Sequence, residues 1–132
     1  AEAFSVLKPG GRLVLSDYFR ISRNLDEDRE KLLRHGLRQW VVPDLVTVDE
    51  FQRDLERAGF AQVEVDDETE HIYPSARRMF ITGLVTSPLA VIFRLIGLHT
   101  KMMHGNWRSS ILQYRALKRG TWRYQIFSAR KP

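Results

Sequence analysis

The sequence of 132 residues contains no cysteine, and it contains no aspartate or glutamate after Glu70. The absence of cysteine excludes a disulfide framework, a thiolate metal site and a cysteine nucleophile. The sequence also lacks a basic segment followed by an apolar run and a small-residue cleavage site, so nothing in it indicates a secretory signal. We therefore expect a cytoplasmic protein.

The charge is divided unevenly along the chain. Residues 1–70 hold all 16 acids and ten Lys and Arg, which gives −6, whereas the remaining residues hold 11 Lys and Arg and no acid, which gives +11. Such an asymmetry is typical of a surface that meets anions, whether phosphates, nucleic acid or an anionic membrane. The alternative is that these bases are solvated, or that their acidic partners belong to another part of a larger protein.

The stretch LKPGGRLVLSD at residues 7–17 raises the question of a nucleotide loop. A phosphate-binding fingerprint has its glycines after a strand and at the start of a helix. Here Gly10 and Gly11 precede the apolar run, which is the wrong end of the strand for that role. Pro9 and Gly10 instead predict a type II turn, in which the second central residue takes a positive φ.

The first half of the chain predicts alternating strands and helices. An uninterrupted apolar run predicts a strand at residues 11–18 that is buried on both faces. Thr47 and Glu50 form a capping box for a helix over residues 48–58, with Gly59 as its left-handed C-cap. The other predictions are a helix with Asn24 as its possible N-cap and a strand with one wetter face that contains Val63 and Val65.

The second half of the chain predicts helices followed by one strand. Residues 74–120 form three helical pieces, with a break near Pro88, and their apolar run is too short to span a bilayer comfortably. Residues 121–132 form a strand rich in aromatic and β-branched side chains. The expected organisation is a single partial α/β domain with a strand-helix-helix-strand portion at 1–73, a helical insert at 74–120 and a C-terminal strand at 121–132.

Two motifs give the chain a family resemblance. LKPGGRLVLSD followed by FQRDLERAGFAQVEV resembles the C-terminal half of the class I S-adenosylmethionine-dependent methyltransferases. The resemblance implies a Rossmann-like sheet with its strands in the order first, third, second, in which the last strand is antiparallel. The stretches DDETEHIYPSARRMF and YQIFSARKP are most similar to methyltransferases of sterols, tocopherols, quinones and other small lipophilic acceptors.

The resemblance also implies a cofactor, S-adenosylmethionine, whose main contacts come from a part of the fold that the sequence does not match. In that family a glycine-rich loop after the first strand holds the cofactor, and no such loop is found here. The sequence begins in what resembles the middle of a helix, so we expect a truncated or partial reading frame. The N-terminal half of the domain would then be a missing partner of this chain. We expect the isolated chain to bind S-adenosylmethionine very weakly or not at all.

Candidate site residues follow the ends of the two predicted parallel strands. In open α/β sheets, ligands bind beyond the carboxyl ends of such strands, which places Asp17 and Tyr18 toward the acceptor. We expect Asp17 to orient an acceptor hydroxyl or help remove its proton, or else to bond nearby backbone amides as a turn residue. His71 and Tyr73 are a second catalytic and a second acceptor-lining candidate, with an ordinary surface role as the alternative.

The helical insert is a candidate lid over the acceptor. Its apolar residues, among them Met79 and Phe80, either line the pocket or pack as core helices, and the two roles are compatible. His99 and His104 lie five residues apart, off the spacing that places two ligands on one helix face, and no acid lies near them in the sequence. We therefore expect no metal site.

Two further expectations concern partners. A binding module is the alternative to an enzyme, with the basic half of the chain on an anionic membrane or, less favoured, on nucleic acid. If the strand at 11–18 lacks its neighbour in the parent sheet, its open edge recruits a second copy. We therefore expect a homo-oligomer formed through that strand.

Overall fold

The computed structural model describes residues 2–95 and 101–132. These residues form three strands and five helices. In chain order the elements are α1 (Glu2–Val6), β1 (Arg12–Arg20), α2 (Glu27–Trp40), α3 (Val48–Arg57), β2 (Ala61–Asp67), α4 (Thr69–Leu95), α5 (Lys101–Lys118) and β3 (Trp122–Arg130). His99 lies outside the described residues, and none of the described helices is long and apolar enough to cross a membrane.

The three strands form one sheet in the order β1, β3, β2, as predicted. The central strand β3 runs antiparallel to both neighbours, so β1 and β2 are parallel to each other. The register places Leu15 opposite Phe127 and Tyr18 opposite Tyr124. The α/β fold class, the strand order and the reversed last strand are all confirmed.

The chain divides into two compact units, and the first contains the sheet. This unit comprises the residues up to Arg23, Leu45–Glu70 and Trp122–Pro132. Phe127 is fully buried in its core, with its ring centroid 4.9 Å from that of Phe19 and 4.8 Å from that of Phe51 on α3. Burial of each such aromatic side chain stabilises the fold by roughly 1.5–3 kcal/mol.

The strand β1 differs from its prediction in burial. Leu13, Leu15 and Phe19 pack into the core, but Val14 on the opposite face is 58% exposed. The expectation of burial on both faces is therefore wrong for the described residues. The physical reason is that the core cluster, to which α1 and α3 contribute, lies on one face of this strand.

Helix starts follow the capping side chains. The predicted capping box of α3 is present, and Gly59 after it has a φ of 99°. For α2 the N-cap is Asp26, whose side chain accepts a hydrogen bond from the Arg29 N–H at 2.9 Å, and not Asn24. Asp26 lies within hydrogen-bonding reach of an otherwise unpaired amide in the first turn, which fixes where the helix begins.

The helix α4 is longer than the sequence indicates. It begins before Pro74 because the Asp67 carboxylate accepts a hydrogen bond from the Thr69 N–H at 3.0 Å and so caps the first turn. It also continues through Pro88, so the predicted break at that residue is wrong. The first predicted helical piece and the beginning of the second therefore form one helix.

The second unit is helical and comprises Asn24–Asp44 and His71–Thr121. Within it, α2 packs against α5, with Leu33 and Leu37 of α2 and Leu117 of α5 buried. Gly36 faces Leu112, whose Cβ lies only 4.0 Å from where a side chain on Gly36 would begin. A Cβ at this position would therefore make only an ordinary van der Waals contact with Leu112.

Candidate functional site

The glycine pair that precedes β1 forms a turn with its amides already engaged. The Gly11 N–H donates to the Lys8 carbonyl at 2.9 Å, and the Gly10 N–H donates to the Lys131 carbonyl at 2.9 Å. Gly10 has a φ of 75°, as the second central residue of a type II turn requires. Since both amides already have partners within the chain, this turn has no free donors with which to hold a phosphate.

Asp17 and Tyr18 lie near the carboxyl end of β1, as predicted. The Arg20 N–H points away from β3, because it donates to the Val46 carbonyl at 3.0 Å. Strand amides alternate in direction, so the Tyr18 N–H also points to the open edge of β1. There it donates to Asp17 Oδ1 at 2.7 Å. Asp17 therefore satisfies an edge amide, the role foreseen as the alternative to chemistry.

The Tyr18 ring belongs to an aromatic cluster on the sheet. Its centroid lies 4.9 Å from that of Trp122 in an edge-to-face arrangement and 5.4 Å from that of Tyr124. Burial raises the pKa of Tyr18, and the neighbouring Tyr124 and Asp17 raise it further. A neutral phenol in an aromatic wall suits contact with an apolar molecule.

The remaining sequence-predicted residues lie on α4 in the second unit. His71 is exposed and Tyr73 is partly buried in the first turns of the helix, and Met79 is 46% exposed. The ring of Phe80 packs against Tyr114 of α5 with centroids 4.8 Å apart. The structure thus brings Asp17 and Tyr18 together within the first unit, and His71, Tyr73, Met79 and Phe80 onto one helix of the second.

Sequence reasoning missed one polar residue beside Asp17. Gln125 of β3 is only 5% exposed and lies opposite Asp17 on one side and Asp67 on the other. Its side-chain amide forms no hydrogen bond with a described residue, which is uncommon for a buried polar group. The expected antiparallel pairing of the last strand could have revealed this residue, because the register of β3 brings residues 122–125 beside the end of β1.

Metal chemistry finds no support in the described part of the chain. Within residues 2–95 and 101–132, no three His, Asp or Glu side chains lie close enough together to hold a metal ion. The side chain of His104 is outside the described set.

Comparison with known proteins finds methyltransferases. No family model matches the chain. The O-methyltransferase cnsE of Penicillium expansum is 36% identical over 84 residues, which are 64% of this chain and 29% of that protein. The chain therefore spans less than a third of the length of this curated relative.

Solved structures share the fold over almost the whole chain. A cyclopropane synthase of Mycobacterium tuberculosis matches 98% of the chain with a TM-score of 0.72 and 14% identity, over 47% of its own length. A phosphoethanolamine N-methyltransferase of Haemonchus contortus, solved with phosphomonomethylethanolamine and S-adenosylhomocysteine, matches 98% of the chain with a TM-score of 0.66 and 17% identity, over 28% of its length.

A geranyl diphosphate C-methyltransferase of Streptomyces coelicolor, solved with Mg²⁺, geranyl diphosphate and S-adenosylhomocysteine, matches 99% of the chain with a TM-score of 0.61 and 17% identity, over 40% of its length. The resemblance indicated by the sequence motifs is confirmed by these matches. The chain has the fold of the C-terminal part of the class I S-adenosylmethionine-dependent methyltransferases.

Proposed function

We propose that this chain is the C-terminal portion of an S-adenosylmethionine-dependent methyltransferase that acts on a small lipophilic acceptor. One observation carries the proposal: the reversed strand β3 lies between two parallel strands, in a fold that matches a solved phosphoethanolamine N-methyltransferase over 98% of the chain. The identity of 36% to an O-methyltransferase supports the same reaction class.

In our proposal the described residues do not hold the cofactor by themselves. The only glycine pair in the sequence forms the turn before β1, and its amides donate to Lys8 and Lys131 within the chain. S-adenosylmethionine supplies an already activated methyl group, so the protein mainly has to align it with the nucleophile. In our proposal an N-terminal half of the domain holds the cofactor, and this chain supplies acceptor contacts.

The candidate acceptor contacts of each unit are proposed separately. In the first, the cluster of Tyr18, Trp122 and Tyr124 offers an apolar wall, and Asp17 orients an acceptor hydroxyl or takes its proton. Within the second unit taken by itself, the candidate acceptor-lining residues lie on α4, namely His71, Tyr73, Met79 and Phe80. The exposed apolar side chains on that helix support the assignment, since Met79, Leu84 and Val85 are each at least 45% exposed.

Asp17 has two candidate roles that one pair of variants separates. Asp17→Asn keeps an oxygen that accepts the Tyr18 N–H but removes the base, whereas Asp17→Ala removes both. If Asp17 takes the acceptor proton, both variants lose roughly 10²–10⁴-fold in methyl transfer. If Asp17 only satisfies the edge amide, Asp17→Asn retains full activity and Asp17→Ala alone loses stability.

The test of the proposed function uses the longer protein that contains this chain. We expect it to transfer a labelled methyl group from S-adenosylmethionine to a lipophilic hydroxyl-bearing acceptor, with Tyr18→Ala raising the acceptor KM more than it lowers kcat. Absence of transfer to every acceptor tried, together with no binding of S-adenosylmethionine, contradicts the proposal.

The open edge of β1 is a candidate site for pairing with a further strand. In the described residues the ladder with β3 uses one side of β1, and only Arg20 at its end bridges to Thr47 on the other. Unpaired strand edges recruit further strands. We propose that a second copy of this chain pairs there whenever no N-terminal half is present.

A further inference from the structure

A basic groove lies within the second unit, where the start of α2 meets the end of α5. Its volume is about 410 Å³. The six residues that line it are Asp28, Arg29, Leu32, Arg115, Lys118 and Arg119. We use the name basic groove for this set.

The charges in the basic groove are poorly matched. Four cationic side chains and one acid, Asp28, line it, and Arg29 is also paired with Asp26 at 3.7 Å. Arg115, Lys118 and Arg119 are exposed, and none of them forms an ion pair with a described residue. Like charges held close together repel one another, so the groove carries an unfavourable field that an anion relieves.

The helix dipole does not account for these bases. Cations near the C-terminus of a helix are favourable because they face its unpaired carbonyls. At the end of α5 that role belongs to Arg29, whose Nε donates to the Arg119 carbonyl at 2.9 Å and whose terminal nitrogen donates to the Gly120 carbonyl at 2.7 Å. With these carbonyls satisfied, Arg115 and Lys118 remain available to a ligand.

The side-chain chemistry narrows the ligand class. Guanidinium groups bind phosphate oxygens in a two-pronged geometry, and an ammonium group adds a point charge. Lys118 also lies 6.0 Å from the centroid of the Tyr114 ring, which favours a position over that ring. Leu32 gives the groove an apolar side, on which a small organic part of the ligand can rest.

We propose that the basic groove binds a phosphate-bearing anion, either a phosphate ester or a diphosphate. The inference rests only on the groove itself and holds whether or not the chain takes part in methyl transfer. The proposal assigns a role to three of the bases that give the second half of the sequence its charge of +11, namely Arg115, Lys118 and Arg119.

The test uses calorimetric titration of the full chain with inorganic pyrophosphate. We compare the wild type with the double variant Arg115→Gln, Lys118→Gln and with a control of equal charge change on exposed positions of α4, Arg77→Gln, Arg78→Gln. We expect the groove variant to bind at least about tenfold more weakly and the control to bind like the wild type. Binding should weaken as salt is added.

For a third variant we expect the opposite change in affinity for pyrophosphate. Asp28→Asn removes the acid of the groove, so pyrophosphate should bind more tightly than to the wild type. This result cannot arise from loss of folding, and far-UV circular dichroism of all variants checks the fold. Equal binding by the wild type, the groove variant and Asp28→Asn overturns the proposal.

Vesicles identify the source of the phosphate. Vesicles of phosphatidylcholine with phosphatidic acid are sedimented beside vesicles of phosphatidylcholine alone. If the wild type binds the acidic vesicles but not pyrophosphate, and the groove variant does not bind the vesicles, the proposal is supported with a lipid headgroup as the source. Binding of pyrophosphate alone supports it with a soluble ligand. Binding of neither probe overturns it.

Discussion

Asp17 Oδ1 accepts a hydrogen bond from the Tyr18 N–H at 2.7 Å, at the open edge of β1. The same carboxylate contributes to the raised pKa of the Tyr18 phenol, after burial and Tyr124. Two candidate site residues that are adjacent in sequence are therefore coupled through both the backbone and the side chain.

That coupling predicts a titration shift. Asp17→Asn removes a negative charge beside Tyr18, so the pKa of Tyr18 should fall but stay above its ordinary value of 10.0, because burial remains the main cause. Ultraviolet absorbance at alkaline pH measures the shift, and a Tyr18→Phe variant identifies the component that belongs to this residue. An unchanged Tyr18 titration in Asp17→Asn contradicts the coupling.

Pairing through the edge of β1 is testable with proline. The Ser16 N–H points to the open edge, as the Arg20 N–H does, because alternate residues of a strand point the same way. Ser16→Pro should therefore leave the ladder with β3 intact and convert an oligomer to a monomer in light scattering. Leu15→Pro is the contrasting variant, since its amide faces β3 and its loss should unfold the sheet. An oligomer that persists in a folded Ser16→Pro protein argues against this edge.

The turn before β1 predicts unequal costs for its two glycines. Gly10→Ala meets no atom within 4 Å and should lose only about 1–2 kcal/mol of unfolding free energy, from its φ of 75°. Gly11→Ala should lose more, because its Cβ would lie 2.7 Å from the Lys8 carbonyl oxygen. Urea unfolding of both variants checks the order, and a larger loss for Gly10→Ala than for Gly11→Ala contradicts this prediction.

Glu50 gives a prediction for acid stability. The hydrogen bond from Arg23, followed by that from the Thr47 backbone, lowers the pKa of this carboxyl from 4.5 to about 2. A lowered pKa adds stability that is present above pH 4.5 and is lost as the pH falls toward 2. Arg23→Gln removes the largest cause of the lowered pKa, so less stability should be lost between pH 5 and 2, seen as a smaller fall of the urea midpoint than in the wild type. Parallel pH profiles for the two proteins would contradict it.

Gln125 predicts an unusual response to substitution. Its buried amide has no partner in the described part of the chain, so Gln125→Leu should leave the unfolding free energy unchanged or raise it by up to about 1 kcal/mol. Urea unfolding measures this change. Gln52→Leu on the surface of α3 is a control for the change of residue type. A loss of more than about 2 kcal/mol would show that the amide has a partner in the folded chain.

The sequence predicts those features that depend on local chemistry. Thr47, Glu50 and Gly59 fix the ends of α3 through contacts within a few residues, and all three behave as predicted. The start of α4 could not be predicted in this way, because it depends on Asp67 at the end of the preceding strand. Pro74 and Pro88 suggested boundaries, but both lie inside the helix.

The candidate site was only partly predictable for a similar reason. Asp17 and Tyr18 follow from the end of a strand, but Trp122, Tyr124 and Gln125 join them only through the register of β3, which pairs residues more than 100 positions apart. The exposure of Val14 has the same origin, since burial depends on what covers a face and not on the residues of the strand alone. Contacts between residues distant in sequence decide both which residues join the candidate site and how exposed Val14 is.

The measurement that tests the central claim most directly is calorimetric titration of S-adenosylmethionine into two proteins, the chain of 132 residues and a longer protein in which the N-terminal half of a methyltransferase domain precedes it. We predict binding with one site per molecule for the longer protein and little or none for the chain alone. Equal binding by the two, or binding by neither, contradicts the assignment of this chain as the acceptor-side part of a methyltransferase.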